Sequence, residues 1–281
     1  MGLHDGEHLI PVTAGHELDT RWAAEVAEFC AESYAQYAAM APGTASQVDS
    51  VLAAECALDC ASVLHALGAP AHDVHLWIVR AASALTEVFR LRGTTPAIPV
   101  VGIRDAGTRE LSVPAEPDQS LTNSRRGLVA MYAALVTGDP ELVKLTASLV
   151  GDSPDASSSA CSRDEQRLAH AVNALVVGDA EVAQSRAAAV DSDADTIRAQ
   201  AAAVQAIAAR SSRSFIDALG ALLEAHRAEA VDPRHRREPR YLLSLPGLAL
   251  ATLATGSEVA RKRQLPVGYA YFPVELVARV R

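Results

Sequence analysis

One stretch of this chain repeats itself, and no other feature constrains the fold as much. Gly127 to Val143 is echoed by Leu168 to Ala183, so that Ala134-Leu135-Val136-Thr137-Gly138-Asp139 aligns with Ala174-Leu175-Val176-Val177-Gly178-Asp179, forty residues on. In each copy the Gly suits the left-handed end of one helix. The Asp after it suits the cap of the next, where its carboxylate accepts orphan backbone N–H groups. Such a turn makes an antiparallel helix pair. Two copies at this spacing predict paired helices resting on their neighbours, in part like tetratricopeptide packing. With only two, an irregular bundle fits better than a regular solenoid.

The rest of the chain reads the same way. Hydrophobic residues make up 49% of it and aromatics only 4%, so Ala, Leu and Val carry the apolar content, a mixture that favours helix over strand. After Gly15, Leu18, Trp22, Val26 and Phe29 recur at helical steps and form one apolar stripe that ends before Pro42-Gly43. A second helix is predicted from Ser46 to Leu67, carrying Val51, Leu52, Leu58, Val63 and Leu64 and closing at Gly68. A third, from His72 to Leu91, is expected to bury Leu76, Trp77, Val79, Leu85 and Phe89.

Ile98 to Ile103 and Arg109 to Val113, about Asp105-Ala106-Gly107, then predict one short β-hairpin near residues 98–113. Helices resume near Ser120, with others at Ala194 to Ala209 and Ser214 to Ala228 and a buried one at Leu242 to Leu253. Gly151 to Ser162, rich in Ser, Asp and Pro, is the candidate mobile loop. The expectation is a mostly α protein, an irregular bundle of antiparallel helix pairs with one hairpin, forming a single helical domain over residues 1–281.

Charge narrows the ligand classes. Of 25 Lys and Arg and 34 Asp and Glu, nine basic and four acidic residues fall in 231–281, leaving 16 against 30 in the first 230. An acidic body argues against nucleic acid, whose phosphates need clustered cations, and suits a basic protein partner. Four scattered cysteines do not make a disulfide scaffold. The first residues show no export or lipid-anchor pattern, and no apolar run reaches the roughly 20 residues of a membrane span. A soluble, cytoplasmic protein that binds no membrane is expected.

No catalytic motif stands out: Gly-x-Ser-x-Gly, a Walker loop, Gly-x-Gly-x-x-Gly and His-Glu-x-x-His are all missing. His72, Asp73 and His75 open a helix, where an acidic residue is expected for its charge, and no further ligands stand at metal spacing. Cys56 and Cys60 lie one turn apart without a second pair and read as core thiols. Neither a catalytic residue, a metal nor a cofactor is expected. Glu224, His226 and Arg227 end an otherwise apolar helix; they read as helix-terminal charges or as the polar rim of an interface.

The C-terminal third carries a resemblance. Phe215-Ile216-Asp217-Ala218-Leu219 through Glu224-Ala225-His226-Arg227, Leu245-Pro246-Gly247-Leu248-Ala249-Leu250, and Val267-Gly268-Tyr269-Ala270-Tyr271-Phe272-Pro273 resemble the closing segments of the immunity protein 49 family. The likeness is best over residues 213–277, with weaker similarity from Leu64 to Phe89. It departs where the family commonly has a small or acidic residue before Tyr and Pro and this chain has Ala270-Tyr271-Phe272-Pro273. The family is associated with bacterial polymorphic toxin systems, so the resemblance implies a helical immunity protein that neutralises a cognate toxin by binding it. The resemblance transfers no contact residue; the candidate partner contacts are Glu224, His226, Arg227 and Tyr271, although Tyr269, Tyr271 and Phe272 also suit a packing clamp. The alternative is a small-molecule-binding accessory protein or a biosynthetic enzyme on the same helices, which would require a sequestered pocket with converging His or carboxylate groups.

Overall fold

The structure, a computed structural model, describes residues 9–13, 16–41, 44–92, 119–151, 161–235, 237–267 and 269–277. Ten α-helices stand among them: α1 (Thr20–Ala38), α2 (Gln47–Ala66), α3 (Ala71–Arg90), α4 (Ser124–Thr137), α5 (Pro140–Gly151), α6 (Arg163–Val177), α7 (Ala180–Ala188), α8 (Asp195–Ala208), α9 (Ser212–Ala230) and α10 (Leu245–Gly256). The fold is mostly helical. The hairpin expected at 98–113 is not borne out, because those positions lie outside the described residues. The strand pair that is described, Leu9–Thr13 against His16–Asp19, antiparallel and irregular between Pro11 and Thr13, comes ahead of α1. The expected loop at 151–162 also falls largely outside them: Gly151 ends α5, and Cys161 and Ser162 lead into α6.

Local chemistry sets the helix ends. Asp19 opens α1 by accepting from the backbone N–H groups of Arg21 and Trp22, both at 3.1 Å. Ser46 and Asp49 form a reciprocal capping box on α2, and Ser162 and Glu165 do the same on α6. Gly138 and Gly178 end α4 and α6 at φ 70° and 89°. Asp139 then accepts from Glu141 and Leu142 at 2.9 and 3.3 Å, and Asp179 from Val182 at 3.0 Å. Both Gly-Asp turns therefore work as the sequence implies, joining α4 to α5 and α6 to α7.

The two copies also stack. α4 packs on α6, and Arg125 at the start of α4 donates through Nε to Glu165 Oε1 of α6 at 2.6 Å. These two residues are themselves forty apart, so equivalent positions of the copies meet.

One continuous core runs from Val51 on α2 through α3, α4, α6, α8, α9 and α10 to Val277. At its centre α10 packs against α4, α8 and α9, with Leu248, Ala249, Leu250 and Ala251 wholly buried. A helix apolar all round must be enclosed, and this one is. Polar ties cross the core too: Gln47 Nε2 donates to the Val88 carbonyl at 2.9 Å, and the Thr86 and Thr146 hydroxyls meet at 2.8 Å.

α1 is attached differently. Ala23 joins Val63 and Leu242 in a small separate cluster, while Tyr34 and Tyr37 reach the main core. Phe29, expected in the buried stripe, is instead 65% exposed. The line facing α2 runs through Ala23, Cys30, Tyr34 and Tyr37, and one residue from Cys30 turns Phe29 about 100° away from it. Leu52 and Leu76 are likewise exposed, on helices whose buried faces are filled by Val51, Ala54, Val74 and Ile78.

Candidate functional site

Beside α10 the helices do not close completely. A cavity of about 330 Å³ remains where α2, α4, α6, α8 and α9 meet the segment leading into α10. Its wall is mostly aliphatic, from Leu58, Leu128, Val129, Leu168, Ile197 and Leu222, and polar groups from distant parts of the chain reach it. Deepest among these is Tyr132, fully enclosed, whose hydroxyl donates to Gln200 Oε1 at 2.8 Å. Burial drives that phenol well above its ordinary pKa, so it stays a neutral donor.

His226 enters from α9. It is 7% exposed, and its Nε2 bonds the Tyr241 carbonyl at 3.0 Å. A carbonyl only accepts, so Nε2 carries the proton and Nδ1 is left as a bare acceptor. Desolvation pushes the imidazole pKa down to about 4, the Tyr241 bond offsetting only part of it, which keeps the ring neutral at pH 7. Ser244 caps the entry to α10; its hydroxyl is wholly buried and has no hydrogen-bond partner among the described residues.

At the rim Arg125 is held by Glu165, Arg240 by Glu238, and Glu229 accepts from the Thr196 hydroxyl at 3.1 Å.

The C-terminal segment locks this corner. His65 on α2 bonds the Ala270 carbonyl at 2.6 Å, Ser244 N–H donates to the Tyr271 carbonyl at 2.8 Å, and the Tyr271 ring meets His226 edge-on at 5.2 Å. A side chain at Gly247 would sit 3.0 Å from Ser244 Oγ and 3.2 Å from Leu223 Cδ2, so both neighbours would have to give by a few tenths of an ångström. Tyr271 is 1% exposed and His226 borders only the cavity, so in this conformation neither side chain reaches the outer face of α9. Glu224 and Arg227 do face outward and pair at 2.6 Å, with the Tyr269 hydroxyl also on Glu224. The structure brings the four residues to one end of α9 but divides them between inside and outside.

A second feature lies on the outer face of α1. Glu28 and Phe29 each stand three or four residues from both Glu25 and Glu32, so the four share a face, all exposed. Glu25 is paired with Arg21 at 3.1 Å, whereas Glu28 and Glu32 have no cation within reach among the described residues.

Other groups singled out in the sequence have ordinary settings. His72 pairs with Asp73 at 2.9 Å on the surface, and no group of three His, Cys, Asp or Glu side chains among the described residues is placed to hold a metal. Cys30, Cys56 and Cys60 cluster between α1 and α2, where burial raises all three thiols, Cys60 to about 12. They remain protonated and unreactive near neutral pH. No helix of the described residues is long and apolar enough to cross a membrane.

Sequence reasoning missed the cavity because its wall is gathered from residues 58 to 246 with no motif between them. The one legible trace was Gln200, a polar residue inside the Ala-rich run Ala199 to Ala203.

Set against known proteins, residues 34–276 match the model of a family described as Immunity protein 49. No curated protein and no solved structure matches the chain.

Proposed function

We propose that this chain, which belongs to the immunity protein 49 family, is an immunity protein that neutralises a cognate toxin by binding it. The family match over most of the chain carries the reading. Two physical features support it. The first 230 residues hold 30 acidic against 16 basic side chains, a field that speeds the approach of a basic partner. The outer face of α1 sets an exposed aromatic ring, Phe29, among the carboxylates of Glu25, Glu28 and Glu32. Interfaces are enriched in aromatic residues at their centre and polar at their rim, which this arrangement matches.

In this reading the toxin presents a basic surface with an apolar recess for Phe29. Glu224 and Arg227 are a further contact, while His226 and Tyr271 hold the C-terminal segment in place behind them. The test is co-expression with each toxin-domain gene encoded beside this one, scored by survival of the host and followed by isolation of the complex. Rescue together with a stable complex is the expected result; toxicity undiminished by any neighbouring pair would overturn the reading.

A further inference from the structure

We infer that the cavity beside α10 is a binding site for a small, uncharged, mainly aliphatic molecule whose end both donates and accepts hydrogen bonds, a primary amide being the class that fits best. The inference does not depend on the immunity reading. It starts from the unpartnered Ser244 hydroxyl, wholly buried in the cavity wall. A buried hydroxyl left without a partner is unfavourable, and a ligand that supplies one recovers the loss.

Two further groups point the same way. Gln200 Oε1 is taken by Tyr132, but no described residue accepts from Gln200 Nε2, which leaves a donor on the cavity wall. His226 Nε2 is committed to Tyr241, leaving Nδ1 as an acceptor, and its depressed pKa keeps it one through neutral pH. A donor, an acceptor and a hydroxyl that can serve as either form the complement of an amide's carbonyl and N–H.

Charge disfavours an ionised head group. The arginines at the rim are already held, Arg125 by Glu165 and Arg240 by Glu238, so no free guanidinium is offered to a carboxylate. Glu229 adds negative charge at the mouth. The volume of about 330 Å³ is at the small end of ligand sites, and a chain of roughly eight carbons suits it.

The test is calorimetric titration of the purified full chain with octanamide, with octanoate as the charged counterpart of equal length. The site as assigned binds one octanamide, binds octanoate at least about tenfold more weakly, and loses roughly three- to tenfold in octanamide affinity on Ser244→Ala. Val129→Phe, which puts a ring into the cavity from α4, abolishes octanamide binding while the far-ultraviolet circular dichroism is unchanged. Should that variant fail to fold, Ile197→Phe on α8 makes the same test. No heat with octanamide up to its solubility limit, tighter binding of octanoate, or octanamide binding indifferent to these substitutions would each overturn the assignment. No toxin takes part, so failure of toxin rescue and failure of this site are read separately.

Discussion

The outer face of α1 and the corner around α10 both carry aromatic and polar side chains, but in opposite circumstances. On α1 an aromatic ring and three carboxylates stand in water, and only one side of the helix is packed. Around α10 an imidazole, a phenol and a serine hydroxyl are enclosed by aliphatic walls, the imidazole bonded to the Tyr241 carbonyl, the phenol to the Gln200 amide and the hydroxyl to no described residue. Substitution at the first should therefore change binding and leave folding alone. At the second it should change folding, or binding inside the cavity.

The largest effect should come from the enclosed corner. Leu248→Ala empties a fully buried position on α10 and is expected to cost about 2–5 kcal/mol of stability in urea denaturation. If residues 1–281 are one domain, that loss appears as an earlier midpoint of one transition rather than as a second transition. Phe29→Ala should shift the same curve by no more than about 0.5 kcal/mol. An equal loss at the two positions would erase the contrast.

Acid should separate the regions next. The native imidazole of His226 sits at about 4, below its ordinary 6.5, so the unfolded chain binds the extra proton. Its contribution is complete above pH 6.5 and is lost as pH falls toward 4. Asp59 runs the opposite way: desolvation, and then the nearby Glu55, raise it from 3.8 to about 6, so its ionised form weighs against the fold above that pH. Thermal melts should show His226→Gln flattening the decline between pH 6.5 and 4. Asp59→Asn should raise the Tm at pH 8 and have little effect at pH 3.5. Glu28 stands in water on the outer face of α1, so Glu28→Gln should leave both profiles unchanged.

Two smaller effects test the joints of the repeat. Gly178→Ala meets no neighbouring atom within 4 Å, so only its φ of 89° opposes the change, and a loss of about 1–2 kcal/mol is expected. Arg125→Ala removes a solvent-facing guanidinium from Glu165 and should cost under about 1 kcal/mol.

What the sequence made legible follows from range. The Gly138-Asp139 and Gly178-Asp179 turns depend on residues within four positions, and the structure has them as the spacing implies. The enclosed α10 was legible because an all-round apolar helix has one destination. Periodicity gave α1 an apolar stripe but not its centre, so Phe29 was placed inward when Cys30 takes that place. The cavity was invisible because it is a property of how six segments fail to fill a space. Glu224 and Arg227 could be assigned to a surface from composition, whereas His226, one position from Arg227, is turned inward by a bond to a carbonyl fifteen residues away.

The central claim is that this protein acts by binding a toxin, and it is tested most directly by the affinity of the purified chain for its cognate toxin, measured at low and high salt for the native sequence and for Phe29→Ala. The account predicts a complex that weakens as salt rises and loses at least about tenfold in affinity in the variant, with the Tm unchanged. Binding that is indifferent to both salt and Phe29 would contradict the α1 face as the interface, and no binding to any neighbouring toxin would contradict the claim itself.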